Sequence, residues 1–154
     1  MLSCLFRISV FCAVSLLLPG CFMHLFEPKP RQFYYDVRAA VVMAGPDVPL
    51  PLVQGVERRV SDAVAATVRT EVLPRVVLTV RLDNVATSIG LDKNKNEVEV
   101  KVTAASVDTG AVVSEGDFKV LTETTAPSLA AESLAEEVAA RVRSLFWLQR
   151  PAAR

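Results

Sequence analysis

The sequence predicts an α+β fold: a two-layer sandwich in which a four-stranded mixed sheet carries two helices on one face, in the order β-α-β-β-β-α. Three observations predict it. Apolar residues alternate with period two over several separate stretches, the mark of strands with one buried face. Over two further stretches they recur at every third or fourth position, the mark of amphipathic helices. The chain's 154 residues, 51% hydrophobic and 22% charged, suit one packed domain and argue against a largely disordered chain.

The elements follow in order. Residues 33–43 alternate, with Tyr35, Val37, Ala39, Val41 and Met43 expected on the buried face and Asp36 and Arg38 opposite, until Ala44-Gly45-Pro46-Asp47 breaks the strand. Leu52, Val56, Val60, Val64 and Val68 recur at every fourth residue, predicting a helix over residues 50–72 that Leu73-Pro74 ends and Gly55 weakens. Valine is a modest helix former, so burial of that stripe must supply most of the stability. Residues 76–82 form the second strand, with Val76, Leu78, Val80 and Leu82 inward. Residues 84–91 read either as its prolongation or as a wide loop, and residues 92–96 as a polar loop. Val98, Val100 and Val102 share one face of the third strand, residues 97–103. Asp108-Thr109-Gly110 makes a tight turn into the fourth, residues 111–124, with Phe118 and Val120 inward. A second helix starts at residues 125–128 with Thr125 or Ser128 as cap; Leu134, Val138, Val142 and Leu145 form its apolar stripe. Glu132, Glu136, Arg141 and Arg143 form its wet side.

Connection lengths set the topology. A helix joins the first two strands, which can then lie parallel through a right-handed crossover. Short turns join the later strands, which pair antiparallel. Both helices cover the valine face, and the other face shows Arg38, Thr79, Arg81, Glu99, Lys101 and Glu123 to solvent.

The N-terminus carries an address. After Arg7 comes an uncharged, mostly apolar run of eleven residues, Ile8 to Leu18, the length of a signal-peptide core and short for a bilayer span of about 20. It leads into Leu18-Pro19-Gly20-Cys21, which resembles the lipobox of bacterial lipoproteins. The resemblance implies cleavage between Gly20 and Cys21 and a Cys21 carrying diacylglyceryl and palmitate-type acyl chains. Pro19 departs from the usual residue there, and one arginine makes a thin basic region. The alternative is an uncleaved anchor over residues 8–26, interrupted by Pro19-Gly20. Residues 1–20 are thus read as the signal peptide and 21–32 as a lipidated tether holding Glu27-Pro28-Lys29-Pro30-Arg31. Residues 33–148 are the domain and 149–154 a C-terminal tail. Cys4 and Cys12 fall within the removed segment, so no disulfide is expected. Phe22 after the cysteine resembles outer-membrane sorting, so the expected location is the envelope, facing the periplasm, at the outer rather than the inner membrane.

A search for chemistry returns little. Lys+Arg and Asp+Glu both number 17, which does not fit a nucleic-acid binder. The single histidine, His24, lies beside the anchor, where it fits no catalytic triad. Residues 92–96 open like a calcium loop, but Glu97 stands where glycine is needed and Thr103 where a bidentate glutamate is needed. The carboxylate pairs Glu97/Glu99 and Glu136/Glu137 lack the aromatic groove a glycosidase would use and read as solvated faces. No catalytic residue, metal or cofactor is expected, and no enzyme. A small-molecule ligand is not expected either.

Aromatic residues gather at Phe33-Tyr34-Tyr35 and Phe146-Trp147, where they serve either core packing or a contact surface. Tyr34, opposite Tyr35, and Trp147, one residue off the buried stripe, are the candidate partner contacts.

With its hairpin Val100-Lys-Val-Thr-Ala-Ala-Ser-Val-Asp108-Thr-Gly110-Ala-Val-Val113, the domain resembles the small periplasmic α/β domain of curli-secretion and penicillin-binding-protein-activator lipoproteins. That resemblance implies a non-enzymatic accessory or assembly component of a cell-envelope complex, with an envelope protein as partner and the membrane reached through Cys21. The rival resemblance is to auxiliary lipoproteins of envelope lipid or lipopolysaccharide transport, which implies an apolar ligand between sheet and helices.

Overall fold

The computed structural model describes residues 33–152. The predicted signal peptide and tether, Gly20 and Cys21 included, lie outside the described residues, as does the end of the predicted tail. The strands are β1 (Asp36–Ala44), β2 (Arg75–Ile89), β3 (Lys95–Ser106) and β4 (Val112–Glu123). The helices are α1 (Leu50–Ala66) and α2 (Ala130–Phe146), the latter preceded by a 3-10 turn (Pro127–Leu129). The four strands lie in one sheet in the order β1-β2-β3-β4. β1 runs parallel to β2, while β2–β3 and β3–β4 are antiparallel. This is the predicted α+β arrangement.

The core follows from the two periodicities. Val76, Leu78, Val80 and Leu82 of β2 and Val98, Val100 and Val102 of β3 are buried on one face of the sheet. Leu52, Val56, Val60 and Ala63 of α1 and Leu134, Ala135, Val138, Ala139 and Val142 of α2 close over them. Full burial of a valine or leucine is worth about 1.5–3 kcal/mol each, and this offsets the weak helix propensity of the α1 valines. The opposite face of the sheet carries ion pairs instead: Arg81 with Asp83, Lys101 with Glu115, and Lys119 with Glu97 and Glu99.

Four local expectations are corrected. In β1 the register shifts between Val37 and Ala39. One extra residue turns over everything after it, so Ala40 and Val42 pack on the core while Ala39, Val41 and Met43 face out. Helix α1 stops at Ala66, not at residue 72, because Thr67 is extended and its hydroxyl donates to Ala63 O at 2.6 Å, taking over a terminal carbonyl. Val68 therefore leaves the stripe, and both it and Val72, the expected helix end, stand in solvent. No side chain of Thr125 or Ser128 caps α2; the 3-10 turn supplies the start. Finally, Asn96 is not a loop residue but lies buried in β3.

The undecided residues 84–91 are strand as far as Ile89, with two register shifts against β3 and left-handed backbone at Asn84 and Ser88. Asn96 holds this irregular arm together. Its Oδ1 accepts from Ser88 N–H at 3.1 Å, and its Nδ2 donates to Thr124 Oγ1 at 3.1 Å and to Asn94 O at 3.4 Å.

Candidate functional site

One end of the domain collects the first residues of β1, the loop after α1, the β3–β4 turn and the C-terminus of α2. Backbone and cap bonds bring them together. Phe33 N–H donates to Leu145 O at 2.7 Å, Asp36 N–H to Pro74 O at 3.0 Å, and Val107 N–H to Arg75 O at 2.9 Å. Gln149 N–H donates to Thr67 Oγ1 at 2.8 Å. The described chain thus begins where both helices end.

The aromatic residues of this end divide into two layers. Phe33 lies 6.4 Å from Tyr35 and 5.5 Å from Phe146, between ring centroids, and all three join the core. Tyr34 alternates outward from Phe33 and Tyr35. Trp147 is turned outward by its backbone: it closes α2 in the left-handed conformation, φ 54°, ψ 37°. That turn sends the next residue, Leu148, into the core and leaves the indole outside. Left-handed backbone costs a non-glycine residue about 1–2 kcal/mol, so a large aromatic here is kept against a local penalty. Tyr34 and Trp147 are 47% and 52% exposed and meet edge to face, with centroids 6.3 Å apart. The structure therefore brings the two predicted contact residues together and separates them from the packing aromatics beside them.

Arg69 ties the arrangement down. Its guanidinium lies 4.9 Å from the Tyr34 ring centroid, and its Nη2 donates to Phe146 O at 3.1 Å and Trp147 O at 2.8 Å. A cation at the carbonyl pole of α2 also complements the helix dipole. Val68 and Val72 in the same loop as Arg69, and Val107 and Val112 at the β3–β4 turn, are exposed at this end of the domain. Sequence reasoning missed these valines because it placed Val68 in a buried helix stripe, ran the helix on to Val72, and singled out neither Val107 nor Val112. The useful signal was the density of β-branched residues after residue 66, where helix propensity falls.

The charged sheet face offers a shallow groove of about 610 Å³ lined by Arg81, Asp83, Asn84, Glu99, Lys101 and Asp117, among others. Its groups neutralise one another. The hydrogen bond from Asn84, aided by Lys119, holds the Glu99 carboxyl below the usual carboxylate range, and Glu97 and Glu99 raise Lys119. Burial alone would raise Glu136, but Arg59 and Arg143 outweigh it and hold that carboxyl low. Such carboxylates stay ionised at neutral pH, the reverse of what a general acid needs. Among the described residues no group of three or more His, Cys, Asp or Glu side chains could hold a metal ion. Nor is any described helix long and apolar enough to cross a membrane.

No protein-family model matches the chain, and no curated protein sequence matches it. Solved structures do align with it, and the PelC subunit shares its fold. The PelC dodecamer from Paraburkholderia phytofirmans aligns with a TM-score of 0.55 at 17% identity, over 79% of this chain and 95% of that one. A candidate lipoprotein from Caulobacter crescentus aligns at 0.35 and 16% identity, over 66% of this chain and 84% of that one. A Xanthomonas campestris protein of the DUF330 family aligns at 0.39 and 12%, over 76% and 86%. The class so defined is a small α+β sandwich domain of the kind seen in the PelC subunit.

Proposed function

We propose that the chain is a membrane-anchored bacterial lipoprotein whose domain is a non-enzymatic assembly component of a cell-envelope complex. Cys21 holds it to the membrane, facing the periplasm, at the outer rather than the inner membrane. The observation that carries the assembly role is the β1 edge. From Ala39 to Ala44 the strand has no charged residue and no proline, the usual protections of an open edge, and Val41 and Met43 are half exposed beside it. An unprotected edge of this kind accepts another strand. The PelC likeness, a dodecamer of subunits with this fold, favours further copies of this chain as a partner, alongside an envelope protein.

The apolar-ligand reading finds less support. Fully buried Leu52, Val56, Leu78, Val80, Leu134 and Phe146 fill the layer between sheet and helices, where a lipid would have to sit.

The test uses full-length protein extracted from membranes. Mass spectrometry should find acylated Cys21 at the N-terminus, and light scattering in detergent should find an oligomer. The double variant Val41→Lys, Met43→Lys should dissociate it without lowering the melting temperature, because both side chains stand on the open face. An intact residue 1–20 segment, or a monomer at all concentrations, would overturn the corresponding half of the reading.

A further inference from the structure

We propose that the aromatic end of the domain is a membrane-docking surface, with Tyr34, Val68, Val72, Val107 and Trp147 seated at the boundary between headgroups and acyl chains of a phospholipid bilayer. The inference rests on the lipoprotein reading for its tether and goes beyond it in giving the domain a fixed orientation.

Four observations converge. The chain outside the described residues ends at this surface, since Phe33 is bonded to the last turn of α2. From Cys21 to Phe33 the tether spans at most about 40 Å when fully extended, so an anchored domain stays within reach of the bilayer. The exposed side chains are of the interfacial kind: a tyrosine and a tryptophan, amphipathic rings that favour the headgroup level, with exposed valines at the same end of the domain. Most of the acidic charge at this end is compensated; Glu71, exposed beside Val72 and outside the described ion pairs, is the exception and belongs at headgroup level. Asp36 and Asp108 are paired with Arg38 and Arg75, while Arg69 is engaged by the Phe146 and Trp147 carbonyls and packs against Tyr34, so it fixes the aromatic pair in place. The opposite end is built differently: the β2–β3 arm projects there, and Leu50, Leu91 and Leu129 are exposed, but it carries no tyrosine or tryptophan and is not where the chain enters the domain. Docking at the aromatic end would leave the β1 edge and the charged sheet face standing along the membrane normal, free to meet neighbours.

Trp147 is the only tryptophan, so its fluorescence reports this surface directly. Full-length protein is reconstituted into phosphatidylcholine vesicles with and without bromine-labelled acyl chains, and mass spectrometry of the same sample reads acylation of Cys21. The expected result is a blue-shifted Trp147 emission, quenched several-fold more by the brominated lipid than that of a Trp147→Phe, Leu91→Trp variant. Val72→Asp, at a fully exposed position, should reduce that quenching while leaving the melting temperature unchanged. Emission shielded from aqueous acrylamide but not quenched by brominated lipid would overturn the proposal in favour of a protein contact. Emission open to acrylamide, or equal quenching of the Leu91→Trp reporter, would overturn it as well. An acylated, unquenched protein sinks the docking alone, an unacylated but quenched one sinks the lipoprotein reading alone, and an unacylated, unquenched one sinks both.

Discussion

Gly55 shows how a residue's local cost is repaid by a neighbour. In sequence it is a helix-weakening glycine worth about 1 kcal/mol against alanine. In the structure a Cβ at this position would lie 2.9 Å from the Cβ of Ala135, so the glycine sets how closely α1 approaches α2. The close approach lets Arg59, one turn on, donate to Gly55 O and reach Glu132 and Glu136 on the facing helix. Gly55→Ala should therefore lower stability by about 1–2 kcal/mol, overpacking outweighing the gain in propensity. Adding Ala135→Gly should recover part of that loss. Denaturant melts of the two single variants and the double variant measure the coupling; strictly additive losses would mean the helices do not touch there.

At the level of elements, the regular ones were legible and their ends were not. β2 and β3 alternate so strictly that the inward valines could be named from spacing alone, and all of them are buried. The β1 bulge left no trace in the hydropathy pattern because Ala39, Ala40, Val41, Val42 and Met43 are apolar on both faces. Alternation cannot choose a register where both choices are apolar. The β2–β3 arm depends on Asn96, which looked like turn vocabulary and is instead a buried amide with three hydrogen bonds. Asn96→Ala should cost about 1–3 kcal/mol, since the Ser88 and Thr124 groups lose their partner. Hydrogen exchange should quicken over residues 84–94 ahead of the rest of the sheet. Uniform loss of protection across all four strands would show that the arm is no separate unit.

Over the whole molecule, ion pairs reinforce contacts that packing and strand pairing already make: α1 to α2 through Arg59, and β3 to β4 through Lys101 and Lys119. Glu99 and Glu136 are held below the usual carboxylate range in the folded state. Groups of this kind stabilise the fold above their unfolded pKa, about 4.3, and that stability is lost as pH falls through the lower folded value. The melting temperature should then be flat from pH 8 to 5 and fall below about pH 4.5. Glu136→Gln should lower it slightly at pH 7 and make the acid fall shallower; an equally steep fall in the variant would remove Glu136 from the account. Arg59 and Lys119 are raised from already high values, so they add no change within this window.

The sequence by itself determined the fold class, the strand order along the chain, the inward valines of β2 and β3, and Tyr34 and Trp147 as the aromatics without a packing role. These follow from local periodicity, and periodicity is written residue by residue. Only the tertiary structure decided the rest: where α1 stops, which way β1 faces beyond its bulge, and that Tyr34, Arg69 and Trp147 meet. The loop after α1 leaves the helix to serve the carbonyl end of α2, some 77 residues further along the chain. No local pattern records a bond between groups so far apart, and it is that bond which assembles the exposed aromatic end.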